Sequence, residues 1–147
     1  EEIDLFDSRD NIRFSYLGLD NATVKGPKPQ LTRVFANLIN NAVQAIENAQ
    51  TEAEEKGLEP FVGQIVVSLR LSSKEGYYDI VFEDNGPGVS DENRSKLFTP
   101  NFTTKSNGTG LGLSICRNIL EKCNGEIFYS KSFSLKGACF TVRFPRR

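Results

Sequence analysis

The sequence predicts an α+β fold in which helices lie on one face of a mainly antiparallel sheet. Three observations predict it: period-two alternation in short segments, a switch to helical spacing at Leu31, and strand-like pairs joined by turns both before and after a last helix. Residues 12–17 alternate apolar and polar side chains, and residues 22–25 can form a short partner strand before the breaker Gly26-Pro27. From Leu31 onward, Val34, Phe35, Leu38, Ile39, Ala42, Val43 and Ile46 fall on one helical face, entered through Pro29. This helix can run through the acidic stretch 50–56, as a solvated tail, to a left-handed stop at Gly57. Residues 64–71 and 77–83 then read as a hairpin closed by Ser-Ser-Lys-Glu-Gly. Residues 84–110 hold glycines, prolines and one short helical run near 91–98, which reads as a long functional loop. Gly112, Ile115, Cys116, Ile119, Leu120 and Cys123 mark the last helix, Asn124-Gly125 stops it, and strands at 126–132 and 138–144 close the chain.

The bulk numbers narrow the function. A chain of 147 residues with 38% hydrophobic and 25% charged side chains has the size and composition of one globular domain spanning residues 1–147. Its 18 basic and 19 acidic side chains give a net charge of -1, so no cationic field gathers nucleic acid or anionic lipid; neither is expected as a partner, and bound phosphate must be held locally. No apolar run is long enough for a membrane span, and no signal peptide opens the chain. The expected location is cytoplasmic, although a parent protein could be membrane-anchored. Cys116, Cys123 and Cys139, an odd number in apolar surroundings, read as reduced core residues. The absence of methionine marks the chain as a piece of a longer protein.

Three groups of residues carry chemistry. Asn37, Asn41, Gln44 and Asn48 form a polar stripe along the long helix, which is either a solvated flank or an amide-lined groove able to help hold Mg²⁺. Asp84 follows Tyr78, Ile80 and Phe82 onto the inward face of its strand, where a carboxylate needs a partner. The exocyclic amine of adenine could supply it, with glycines of Asn85-Gly86-Pro87-Gly88 letting a flat ring approach; an Asx turn capping its own loop is the alternative. Gly108-Thr109-Gly110-Leu111-Gly112-Leu113 brings a glycine-rich approach to a helix start, which suits polyphosphate without matching a Walker loop or a dinucleotide fingerprint. Between them, Phe98 and Phe102 can anchor a lid while Thr103, Thr104 and Lys105 meet phosphate, or the segment is an irregular loop with two core contacts.

Taken in order, these segments resemble the asparagine, first glycine, phenylalanine and second glycine boxes of the ATP-binding domain of sensor histidine kinases of the nitrogen-regulator kind. That domain is grouped with gyrase, heat-shock chaperone and mismatch-repair ATPases, and the likeness runs from about Ile12 to Pro145. It implies a two-layer α/β sandwich: a mixed, mainly antiparallel five-stranded sheet, three helices on one face and an ATP lid. It also implies Asn41 as the Mg²⁺ ligand, Asn37 facing the phosphates, Asp84 on the adenine amine, and Gly86, Gly88 and Val89 around the base. Phe102, Thr103, Thr104 and Lys105 would line the lid, and Gly108, Thr109, Gly110, Leu111, Gly112 and Leu113 the phosphates; Asn37, Asn41 and Lys105 would be catalytic. Hydrolytic relatives carry a glutamate where this chain has Asn37, and an amide is no general base, so transfer is favoured over hydrolysis. The resemblance makes the acceptor a histidine on a separate dimerisation domain of the same kinase, with a response regulator acted on indirectly. This chain has no histidine, so ATP and ADP are its direct ligands, the fragment is monomeric and the parent a homodimer.

Departures from the family pattern are Lys28 at the helix N-cap region, Gln44 in place of a cation, and Ala138 in place of a hydroxyl within Gly137-Ala138-Cys139-Phe140. An anti-sigma-factor serine kinase, which shares the fold, and a silent nucleotide-binding scaffold are the alternatives.

Overall fold

The computed structural model describes residues 11–18, 28–99 and 112–146. Five strands form one sheet: β1 (Ile12–Leu17), β2 (Gly63–Leu71), β3 (Tyr77–Asp84), β4 (Glu126–Lys131) and β5 (Ala138–Pro145), in the spatial order β1-β2-β3-β5-β4. Three helices accompany them: α1 (Lys28–Glu55), α2 (Asp91–Arg94) and α3 (Gly112–Lys122). Only β1 and β2 run parallel, with Ile12 opposite Gly63 and α1 making the crossover; the other neighbouring strands are antiparallel. The mixed sheet is therefore as expected. Residues 22–25, expected as a strand, lie outside the described residues.

Period two decides which face is buried. Ile65, Val67, Ile80, Phe82, Phe140, Val142 and Phe144 point inward, where α1 packs over β2 and β3, and α3 over β4. The helices contribute Val34, Leu38, Ile46, Cys116 and Leu120, each at most 1% exposed. Each of these two helices ends by the same physics. Leu58 N–H bonds to Ala53 O (2.8 Å) and Gly57 N–H to Glu54 O (3.1 Å), with Gly57 left-handed at φ 69°, a Schellman stop at the predicted glycine. In α3 the left-handed place goes to Asn124 (φ 63°), while Gly125 N–H reaches Leu120 O at 2.7 Å. Gly125 is needed for a different reason, since a β-carbon there would lie 2.7 Å from Arg143 O. Lys28 is already helical, so it is not the N-cap of α1, and the residue before it lies outside the described set.

Away from the helices, one row of the sheet alternates in charge: Arg70 stands opposite Asp79, Asp79 opposite Arg143, and Arg143 opposite Glu126. Arg143 grips Asp79 with two bonds, Nε to Oδ1 at 2.8 Å and a terminal nitrogen to Oδ2 at 3.2 Å, the bidentate geometry that favours arginine over lysine.

Ile46 is fully buried and would meet any β-carbon added at Gly63, so it joins α1 to the first residue of β2. Replacing it with alanine is expected to cost about 2–5 kcal/mol in a urea unfolding titration; a loss under about 1 kcal/mol would mean that the site collapses around the gap.

Candidate functional site

Asp84 ends β3 on the inward face and is 5% exposed. Its Oδ1 accepts two backbone N–H groups, from Gly86 at 2.9 Å and from Ala138 on β5 at 3.2 Å. The Gly86 bond is the Asx turn that the sequence left open. Burial pushes the Asp84 carboxyl above its ordinary value, against the two amide bonds that pull it down. Gly137 makes this contact possible: a β-carbon there would overlap the Asp84 carbonyl oxygen and sit 2.5 Å from Oδ1.

The turn after Asp84 is pinned on both sides. Asn85 accepts Gln64 N–H at Oδ1 (2.7 Å) and donates from Nδ2 to Val62 O (3.0 Å), tying the turn to the start of β2. Gly86 is buried, and a β-carbon on it would lie 3.2 Å from Asp84 Oδ1 and 3.5 Å from Ala45 Cβ on α1. Its missing side chain lets the turn pack closely against Asp84 and α1. Gly88 sits at φ 75°, in the left-handed region. Val89 N–H donates to the Tyr129 hydroxyl at 3.0 Å.

The amide stripe on α1 divides. Gln44 Nε2 donates to Asn48 Oδ1 at 3.3 Å along the helix, a solvated flank. Asn37 turns inward, with Nδ2 3.5 Å from the Gly112 carbonyl and 3.7 Å from Cys116 Sγ. Asn41 is half-buried one turn on. Asn37, Asn41 and Ala45 follow at spacing four on one face, so the carboxylate turn and the start of α3 stand at opposite ends of about 12 Å of helix. Cys116 is a free thiol, pushed by burial to about 11 and so un-ionised.

Gly112 opens α3 with open space where a β-carbon would be, and Leu113 packs on the core. Phe98 meets Phe140 edge-on at 6.4 Å, a core contact that both readings of this loop include. Phe102, Thr103, Thr104, Lys105, Gly108, Thr109, Gly110 and Leu111 lie outside the described residues. Sequence reasoning missed Gly137 and the Ala138 N–H as partners of Asp84, and Tyr129 as partner of Val89. No local pattern shows that two strands far apart in sequence meet at a carboxylate; only the glycine beside Ala138 was a signal. Among the described residues no three carboxylate, thiolate or imidazole groups cluster to hold a metal, and no helix is long and apolar enough to cross a membrane.

Residues 26–147 match the family described as histidine kinase-, DNA gyrase B-, and HSP90-like ATPase. The sensor histidine kinase ZraS of Salmonella typhimurium is 35% identical over 125 residues, covering 83% of this chain and 23% of that protein. Sporulation kinase A of Bacillus subtilis is 32% identical over 136 residues, covering 92% and 20%. The chain thus spans under a quarter of the length of these relatives. Among solved structures, the catalytic domain of histidine kinase ThkA superposes with a TM-score of 0.72 at 27% identity, covering 92% of this chain and 81% of that one. A structure of ThkA in complex with response regulator protein TrrA aligns with a TM-score of 0.69 at 25% identity, covering 93% and 35%.

The raised Asp84 carboxyl has a signed consequence. Below its unfolded value the group is protonated in both states; as pH rises from there through the higher folded value, the unfolded chain releases its proton first and stability is lost. Asp84→Asn keeps an oxygen for both backbone donors and lacks this step. Its stability relative to wild type is expected to be higher at about pH 7 than at about pH 3 in parallel urea titrations. A difference that stays constant across that range would show that the carboxyl is not shifted.

Proposed function

The chain belongs to the family of histidine kinase-, DNA gyrase B- and HSP90-like ATPases, and from that premise we propose that it is the ATP-binding catalytic domain of a sensor histidine kinase, passing the γ-phosphoryl group of ATP to a histidine on a separate dimerisation domain. The observation that carries this is Asp84, whose buried carboxylate oxygens stand between the Gly86 turn and β5 with two backbone N–H groups on Oδ1. An exocyclic amine is the donor such an oxygen suits.

The residues fit an elongated ligand with a base at one end and a charged tail at the other. Asp84 and the backbone of Gly86 and Gly88 receive the base, and α1 leads from Ala45 past Asn41 to Asn37 and the start of α3, where backbone N–H groups suit phosphate. In this reading Asn41 gives an amide oxygen to Mg²⁺, and an ion that keeps most of its ligands as phosphate oxygens and water needs no cluster of carboxylates. When bound, that ion neutralises charge on the phosphates. Asn37 supplies no general base, so water gains little from it, and the chain's part is to hold the phosphates in line for an external imidazole. Lys105, Thr103 and Thr104 complete the lid in this reading, with Phe102 anchoring it and Gly108, Thr109, Gly110 and Leu111 against the phosphates.

Residues 1–147 hold no histidine, so the acceptor in this reading lies outside them, on the dimerisation domain of the same kinase, and a response regulator would take the phosphoryl group afterwards, as the pairing of ThkA with TrrA suggests.

Calorimetry with ADP and with Mg²⁺–ATP tests the binding step. Asp84→Asn is expected to weaken ADP by about tenfold or more, the worth of a charge-assisted bond, while the protein stays folded. Asn41→Asp is expected to weaken metal-free ATP more than Mg²⁺–ATP, because the new carboxylate repels unshielded phosphate. Nucleotide affinity indifferent to both changes would sink the reading. Transfer is tested by adding a histidine-bearing dimerisation domain and γ-labelled ATP: label is expected on that domain and none on this chain. Tight ATP binding with no label on the histidine would make the chain a nucleotide-binding scaffold.

A further inference from the structure

Tyr129 belongs to none of the four boxes, yet it touches the parts that flank the carboxylate. It lies on β4 opposite Phe140 and packs edge-on against that ring at 5.2 Å. Its hydroxyl accepts the Val89 N–H at 3.0 Å and lies 3.5 Å from where a β-carbon of Gly88 would be. Its ring carries the guanidinium of Arg94, the last residue of α2, 5.1 Å from the centroid. A purely apolar residue at 129 could pack on Phe140 equally well, but it would leave Val89 N–H without this acceptor and Arg94 without a π face.

We propose that Tyr129 is a positioning residue that holds the glycine turn 86–89 and α2 in one fixed relation, so that the seat of the nucleotide base and the root of the lid are set by a single side chain. The hydroxyl fixes the far end of the turn at Val89, and the ring fixes α2, which the chain enters next. Phe98 strengthens the arrangement from beyond α2, because it packs on the Phe140 ring that Tyr129 also touches. Movement of either part is then felt by the other. The link to nucleotide rests on the function proposed above, whereas the link between turn and helix does not.

Backbone order parameters in the nucleotide-free protein and ADP affinity in the same variants test it. Tyr129→Phe removes only the hydroxyl, and the order parameters of Val89 and of residues 91–94 are expected to fall together, with ADP binding weakened about three- to tenfold. Arg94→Met, which removes the cation from the ring, is expected to loosen Val89 as well, and Arg94→Lys to restore it in part. If Tyr129→Phe loosens Val89 while residues 91–94 and ADP affinity stay at wild-type values, the hydroxyl is a local cap and the proposal fails. If the wild-type protein binds no nucleotide, the kinase reading falls, and the order parameters alone decide the coupling.

Discussion

A carboxylate buried at the end of β3 sets the terms for the rest of the site. Removing Asp84 from water costs several kcal/mol, roughly, unless donors meet it, and the fold meets it with amides from two chain segments. One requires the chain to turn back at Gly86; the other requires β5 to approach so closely that position 137 can carry no side chain. The same turn must lie against Ala45, which fixes α1 over the sheet. A single costly group thereby registers three elements.

Local pattern made much of this legible. Alternation placed Asp84 inward, helical spacing put Asn37 and Asn41 on one face, and the glycine after α1 stopped it where expected. Pairing across distance was not legible. Nothing in residues 12–17 says that their neighbour is the strand that follows α1, because parallel partners share no turn. Nor does the alternation of β4 say that the hydroxyl of Tyr129 has a partner in another loop. The amide stripe was legible as a stripe but not in its division, since Gln44 and Asn48 satisfy each other while Asn37 is drawn inward by α3.

The two faces of the sheet use different physics. The helix-covered face is held by apolar burial, which tolerates exchange among residues of similar volume. The other carries Arg70, Asp79, Arg143 and Glu126 in one row, where each strand offers the sign its neighbour lacks. Shifting β3 or β5 by one position would break that row and turn the buried side chains outward. Charge and hydrophobicity thus specify the same register, including the one that brings Ala138 to Asp84.

The parallel pairing of β1 with β2 has a consequence for how the chain assembles. The β2–β3 and β4–β5 hairpins close over short connections, whereas β1 finds its place only when α1 has spanned the sheet, a late and slow contact by the logic of loop closure. Until then β2 is a bare edge whose middle reads Ile65, Val66 and Val67, the kind of surface on which unfinished chains stick to one another. A shortened version starting at α1 would keep every residue described around Asp84 and still be prone to clump, through an edge that the intact protein never shows.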